Sequence, residues 1–315
     1  MSAPYIILTV LLGLLVLLLC LSYYTYSVTF RRRTRNKGGL YKIGPKELVD
    51  KIAKMREELE AVPCEEVSTI SSDGLRLSAR LYITDPSRPF EIQFHGYRSN
   101  PVRDFSGGGM EVLKRGDNLL LVYQRAGGKS EGRTITFGIK ERLDVISWID
   151  FLLGRFGDRI KITLVGVSMG GATVLMASEL PLPENVKYIV ADCPFSSPKE
   201  IICRVAKSMG FPPALAYPLI KLGALIYGRF NPDSHSASEA VKSSKTPILL
   251  LHGEKDGFVP MEMSEKIQLC APDTVTLKSF PHADHGMSYL TDRDGYMREI
   301  NEFRQKHLKG DTPIV

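Results

Sequence analysis

The chain has 315 residues, 43% hydrophobic and 24% charged, a balance that excludes extended disorder and suits one large α/β domain or two small ones. Its formal net charge is +6, but Arg31, Arg32, Arg33, Arg35 and Lys37 supply five positive charges with no acid among them. The remainder is near neutral and carries no nucleic-acid footprint. The five cysteines are scattered without a C-x-x-C pair, which gives neither a disulfide framework nor a zinc site.

No charged side chain occurs from Met1 to Phe30. The apolar run 6–21, followed by Tyr23, Tyr24 and Tyr26, is long enough to cross a bilayer with its tyrosines at headgroup level. A cleaved signal peptide wants positive charge before the run and a small-residue site after it, and both are missing. Residues 1–30 therefore read as an uncleaved anchor. The arginines just after it place the bulk of the protein on the cytoplasmic side of the cell membrane. Residues 31–62 read as a basic linker and an amphipathic helix over Lys46–Ala61, with Leu48, Ile52, Met55 and Leu59 on one stripe. The anchor shares no pattern with the remainder of the chain and is joined through the basic linker, so deleting residues 1–37 is expected to leave a soluble, active domain.

That domain spans 63–310. Two alternating runs in 65–83 flank Ser72-Asp73-Gly74 and read as a hairpin. Short strand patterns at 90–94, 118–123, 162–165, 188–191, 247–251 and 275–280 then alternate with helical ones, such as 139–153 and 170–180. Such alternation builds a mostly parallel sheet with helices on both faces. The interval 196–245 is far longer than a crossover needs. Its apolar patterns at 201–209 and 214–227, broken by Pro212-Pro213 and Asn231-Pro232, read as an inserted helical cap. Bulky cap residues such as Phe211 and Tyr227 are expected to line a pocket for an acyl group.

Between a strand and a helix the chain reads Gly166-Val167-Ser168-Met169-Gly170, the G-x-S-x-G pattern of a nucleophile elbow. A serine hydroxyl needs a base, and the base needs an orienting acid. Asp256 follows Ser168 by 88 residues and His285 follows Asp256 by 29, each just past a strand on the sheet edge that carries Ser168. Glu254 and Asp284 compete for the acid, and His282 for the base. Gly286 permits a tight turn beside His285, which favours that histidine. An oxyanion hole wants the backbone N–H after the nucleophile, from Met169, and a second from an earlier loop, from Tyr97. His95 and His252 each precede a glycine at a strand end and read as structural.

Six stretches, HGYRS (95–99), QRAGGKSEGRTITFG (124–138), GVSMGG (166–171), ADCPFSS (191–197), HGEKDGFVP (252–260) and HADHGMSY (282–289), together resemble the bacterial group of membrane-anchored or cytosolic α/β-hydrolase serine hydrolases. The resemblance covers roughly 64–308. It implies an α/β-hydrolase fold with N-terminal hairpin and helical cap, preceded here by one transmembrane helix. It also implies esterase-like serine catalysis without metal or cofactor, with Ser168 as nucleophile, Asp256 as orienting acid and His285 as base. Relatives often read D-Q-R-x-H-G after the fourth strand, where this chain has Tyr123 and Gly127, a departure that bears on loop structure and substrate selection. The expected substrate is a small-molecule ester or other acyl compound, lipid-like where the cap is apolar. A thioesterase, peptidase or acyltransferase on the same fold, and a non-catalytic membrane-tethered scaffold, are the alternatives.

Overall fold

The computed structural model describes residues 3–32 and 46–308, the side chains of 46–49 excepted. The stretch 33–45, with most of the expected basic linker, and the Leu48 side chain lie outside the described residues.

Among the described residues one sheet of eight strands runs through the molecule. The strands are β1 (Glu65–Ile70), β2 (Arg76–Tyr82), β3 (Phe90–Phe94), β4 (Asn118–Tyr123), β5 (Ile162–Val167), β6 (Val186–Asp192), β7 (Ile248–Gly253) and β8 (Val275–Phe280). Their spatial order is β1-β2-β4-β3-β5-β6-β7-β8. β2 pairs antiparallel with both β1 and β4, and every other pairing is parallel. This is the α/β-hydrolase fold.

The local chemistry follows the sheet. β1 and β2 alternate between buried and exposed positions, and Gly74, at φ +86°, supplies the left-handed residue their turn requires. β3, β4, β5 and β7 are buried almost throughout because helices cover both faces, and all but β3, which carries Glu91 and Gln93, are mostly apolar. Helices Glu141–Phe156 and Met169–Ala177 cover one face, burying Trp148, Ile149, Val174 and Leu175 against Phe94, Leu164 and Ile189. Helices Ser106–Lys114 and Arg293–His307 cover the other, where Val112 and Phe303 meet Leu121, Val190 and Leu251. Leu59 joins that second core, so helix Lys46–Ala61 is packed on the domain.

β5 runs two residues past the expected 162–165. Gly166 and Val167 still pair with Ala191 and Asp192, which carries extended backbone up to Ser168 itself. The cap holds helices Pro198–Ser208 and Pro213–Gly223 and then a π-helical turn, Ala224–Gly228, where one continuous helix over 214–227 is expected.

The first helix, Ala3–Thr29, is long and apolar enough to cross a membrane. It is more than a free tether. Its side chains from Tyr5 to Leu18 are largely exposed, but Ser22, Tyr26 and Phe30 are buried against the domain, Phe30 to 0% exposure. Arg31 and Arg32, expected to begin a linker, lie along 133–134 through a β-bridge to Thr134 and a 2.8 Å bond from Arg32 N–H to the Arg133 carbonyl. Two pocket assignments need correction on the same ground. Phe211 points outward, 57% exposed, and the Tyr227 ring packs on Tyr23 and Tyr26 of the first helix.

Candidate active site

Ser168 stands between β5 and helix Met169–Ala177 at φ +54°, ψ −115°, a region that a non-glycine residue rarely adopts. Its N–H donates to the Asp192 carbonyl at 2.8 Å, and its carbonyl accepts from Ala172 at 2.9 Å. The turn closes only because its neighbours lack side chains. A Cβ on Gly166 would stand 2.2 Å from the Gly170 carbonyl oxygen, and one on Gly170 would stand 1.8 Å from that of Phe94. Closure of the turn therefore dictates Gly166, and the close approach of the helix start to the end of β3 dictates Gly170.

Three sequence-selected side chains meet at the carboxyl edge of the sheet. The Ser168 hydroxyl lies 3.1 Å from His285 Nε2, and His285 Nδ1 lies 2.7 Å from Asp256 Oδ2. Asp256 Oδ1 accepts from the N–H groups of Phe258 at 2.9 Å and Val259 at 2.7 Å. Burial alone would raise the Asp256 pKa, but bonds from His252 and His285 outweigh it and hold the carboxyl down at about 2. A carboxylate at Oδ2 makes Nδ1 of His285 the protonated nitrogen and leaves Nε2 bare toward the serine.

The rivals fall elsewhere. His282 is exposed. Glu254 accepts from the Ser279 hydroxyl at 2.7 Å. Asp284 Oδ1 accepts from the N–H groups of His285 at 2.7 Å and Gly257 at 3.1 Å, so it shapes the loop that presents the histidine.

Sequence reasoning missed two supporting groups. His252 is fully buried, with Nδ1 2.7 Å from the Ser264 hydroxyl and Nε2 shared between the Val259 carbonyl at 2.9 Å and Asp256 Oδ2 at 3.3 Å. It is structural, as expected, but what it braces is the Asp256 carboxylate. Asp104 braces the loop after β3. Its carboxylate takes the Gly96 N–H at 2.8 Å and the Ser99 hydroxyl. The Asn100-Pro101 start of helix Pro101–Asp104, capped by the Asn100 side chain, was the local clue to that turn.

The same loop lies against Ser168, because a Cβ on Gly96 would stand 3.5 Å from the Ser168 Cβ. Tyr97, the next residue, and Met169 are the backbone donors named from the sequence. His95 is buried and bonds locally, with Nδ1 2.7 Å from the Gly96 carbonyl and Nε2 accepting the Gln124 N–H at 3.2 Å. Burial pushes its pKa down, which suits a neutral ring. A Cβ at Gly127 would come within 3.2 Å of that ring, so His95 occupies the space a histidine at 127 would need.

Asp192, at the end of β6, lies beneath the elbow. Burial pushes its carboxyl up to about 6, against the opposing bond from the Tyr296 hydroxyl at 3.0 Å. Cys193, Asp256 and His285 present ligand-type atoms within 4.8 Å of one another. His285 and Asp256 spend theirs on each other, and burial pushes the Cys193 thiol well up. A metal there would have to displace the hydrogen bond that orients the imidazole.

A family model described as the prolyl oligopeptidase family matches residues 136–311. The Bacillus subtilis protein YqkD is 24% identical over 192 residues, 61% of this chain and 63% of that protein. Protein bem46 of Schizosaccharomyces pombe is 28% identical over 220 residues, 69% and 67% of the two chains. The matches thus span about two thirds of those relatives. Among solved structures, the Pyrococcus furiosus esterase Pf2001 superposes with a TM-score of 0.67 at 22% identity, covering 89% of this chain and 98% of the esterase.

Proposed function

The chain belongs to the prolyl oligopeptidase family, and from that premise we propose that it is a membrane-anchored serine hydrolase that cleaves a carboxylic ester through an acyl-enzyme. The observation that carries the reading is the relay of Ser168, His285 and Asp256, with links of 3.1 and 2.7 Å, at a strained strand-to-helix turn. The Ser168 oxygen attacks the acyl carbon while its proton passes to His285 Nε2. The N–H groups of Tyr97 and Met169 meet the oxyanion. As the ester C–O bond breaks, Nε2 returns the proton to the leaving alcohol. Water then attacks the acyl-serine, giving its proton to Nε2, and the acid leaves as Ser168 regains a proton. Asp256 keeps the imidazole oriented and balances its transient charge.

An apolar acyl group suits the surroundings. Met169, beside the nucleophile, belongs to a cluster with Phe137, Phe195, Ile201, Ile220 and Phe230. Anchoring is supported by the first helix, whose 27 residues extend about 40 Å at 1.5 Å each. Leu225 and Ile226, 45% and 43% exposed, sit on the cap turn that packs on this helix and continue its apolar surface. The arginines after the helix favour a cytoplasmic domain. The burial of Ser22, Tyr26 and Phe30 favours a retained helix over a cleaved leader.

Fluorophosphonate labelling tests the chemistry. Ser168 takes the label, Ser168→Ala abolishes it, and p-nitrophenyl esters of rising chain length report the acyl preference. An unlabelled wild type contradicts the reading and leaves the scaffold alternative. The family's description favours a second reading, a peptidase, and faster turnover of aminoacyl p-nitroanilides than of the esters selects it. Protease added outside intact cells leaves the domain whole if it is cytoplasmic.

A further inference from the structure

A helix that served only as a tether would need no fit to the domain behind it. Here its last turns fit closely on two sides. Toward the cap, it runs antiparallel to helix Pro213–Gly223, with the Thr25 hydroxyl on the Leu219 carbonyl at 3.3 Å and the Tyr227 hydroxyl on that of Leu19 at 3.1 Å. A Cβ on Gly223 would stand 2.3 Å from the Ser22 carbonyl oxygen, so the contact depends on that glycine.

Toward the active site, the helix ends on the loop that carries Tyr97. The last carbonyls of a helix have no partner within it and stand at the negative end of its dipole. The Tyr97 hydroxyl donates to the Thr29 carbonyl at 2.6 Å. Arg98 Nη2 donates to the carbonyls of Val28 at 2.7 Å and Arg31 at 3.0 Å. Arg98 itself is held at φ +53°, a left-handed conformation that needs support from its surroundings. Ring contacts continue the junction, from Phe30 to Phe137 at 5.6 Å and from Phe137 to Tyr97 at 5.1 Å. Beside it lies a cleft of about 260 Å³, lined by Arg32, Arg98 and Met169 among others, so residues just after the helix share a cavity with the residue following the nucleophile.

We propose that the end of the N-terminal helix, residues 22–30, is a positioning element of the active site. By capping its carbonyls with Tyr97 and Arg98, it holds the loop after β3 in the left-handed turn that sets the Tyr97 N–H against Ser168. Hydrolysis then requires a docked helix, against the expectation that the domain lacking 1–37 stays active, and any process that pulls the helix from the cap lowers turnover without touching Ser168, His285 or Asp256. The inference rests on the serine-hydrolase reading and adds a dependence of that site on the anchor.

The test uses the full chain in detergent micelles. Gly223→Leu drives the helix off the cap. Tyr97→Phe/Arg98→Gly removes the side-chain bonds to the helix, keeps every backbone N–H and still permits the left-handed turn. Leu12→Ala, on the exposed half of the helix, is the control. Each is read by kcat and KM on p-nitrophenyl butyrate, by the rate of fluorophosphonate labelling, by thermal unfolding, and by trypsin cleavage after Arg31 and Arg32. Both disruptive variants should lose roughly tenfold or more in kcat and in labelling rate with KM within about twofold, part of the 10²–10³ that an oxyanion donor supplies. Gly223→Leu should also expose Arg31 and Arg32 to trypsin, and Leu12→Ala should match wild type. A folded Gly223→Leu protein with an undocked helix and wild-type kcat overturns the proposal. If that variant does not fold, wild-type kcat in Tyr97→Phe/Arg98→Gly overturns it alone. A wild type that takes no label removes the hydrolase reading and this inference together. Equal labelling of wild type and variants removes only this one.

Discussion

Replacing Asp256 by asparagine keeps the side chain's shape and removes its charge. The amide oxygen can still accept from the N–H groups of Phe258 and Val259, now at 2.9 and 2.7 Å. The NH2 must then take the place of Oδ2, which accepts from His285 Nδ1 at 2.7 Å and faces His252 Nε2 at 3.3 Å. Donors would meet a donor. His285 escapes by moving its proton to Nε2, the tautomer that cannot take one from Ser168. The expected loss is about 10⁴-fold in kcat, or about 5.5 kcal/mol of transition-state stabilisation. Stability falls as well. The carboxyl is held at about 2 instead of 3.8, so its ionised form stabilises the fold above the unfolded value and that contribution disappears as pH falls through 2. At pH 7 this is worth about 2 kcal/mol. The assay pairs ester turnover with urea unfolding of wild type and Asp256→Asn at pH 7 and in acid, where the two unfolding curves should converge. A variant that keeps more than about a tenth of wild-type kcat, beside an inactive Ser168→Ala, would refute the orienting role assigned to Asp256.

His285→Ala and Ser168→Ala should each lose about 10³-fold or more in kcat, and the double variant little beyond either, because the pair acts as a unit. His282→Ala should stay within about tenfold of wild type, and the reverse pattern would move the base to His282. Gly170→Ala sets a Cβ 1.8 Å from the Phe94 carbonyl oxygen; the cost should exceed about 3 kcal/mol, and near wild-type urea unfolding would show that the turn yields. EDTA should leave ester hydrolysis unchanged; inhibition that added zinc reverses would point to a metal held by Cys193, Asp256 and His285.

The parts of this protein that could be read from its sequence are those whose physical cause is local. The elbow is one: Gly166, Ser168 and Gly170 are two residues apart, and the clash that selects Gly166 lies within that strand-to-helix turn, although the one that selects Gly170 is with Phe94 on the neighbouring strand β3. The sheet is another, because most of its buried parallel strands announce themselves as apolar runs, β3 with its Glu91 and Gln93 excepted. The preference for His285 over His282 rests on Gly286, which does adopt positive φ, at +65°. What escaped is set by contact across the fold. Nothing around His252 indicates that its Nε2 reaches Asp256, and nothing around Asp104 indicates that it holds Gly96.

The docked helix is the instructive case, because its sign was present and the wrong average concealed it. Taken whole, 3–29 is an apolar segment, long and apolar enough to cross a membrane. Taken by face, Ser22, Thr25, Tyr26 and Thr29 recur at spacings of three and four, small or polar groups on one side of its last two turns. Such a stripe brings helices close and lets side chains bond across them. Gly223 and Gly228 supply the matching recess in a cap whose bulky residues were expected to line an acyl pocket. Ser22 meets Gly223, Tyr26 meets Gly228, and Thr29 offers its carbonyl to Tyr97. The first half of the helix is apolar and exposed, and the second half is fitted to a surface of fixed shape. The boundary between them, near Leu21, is where the domain begins.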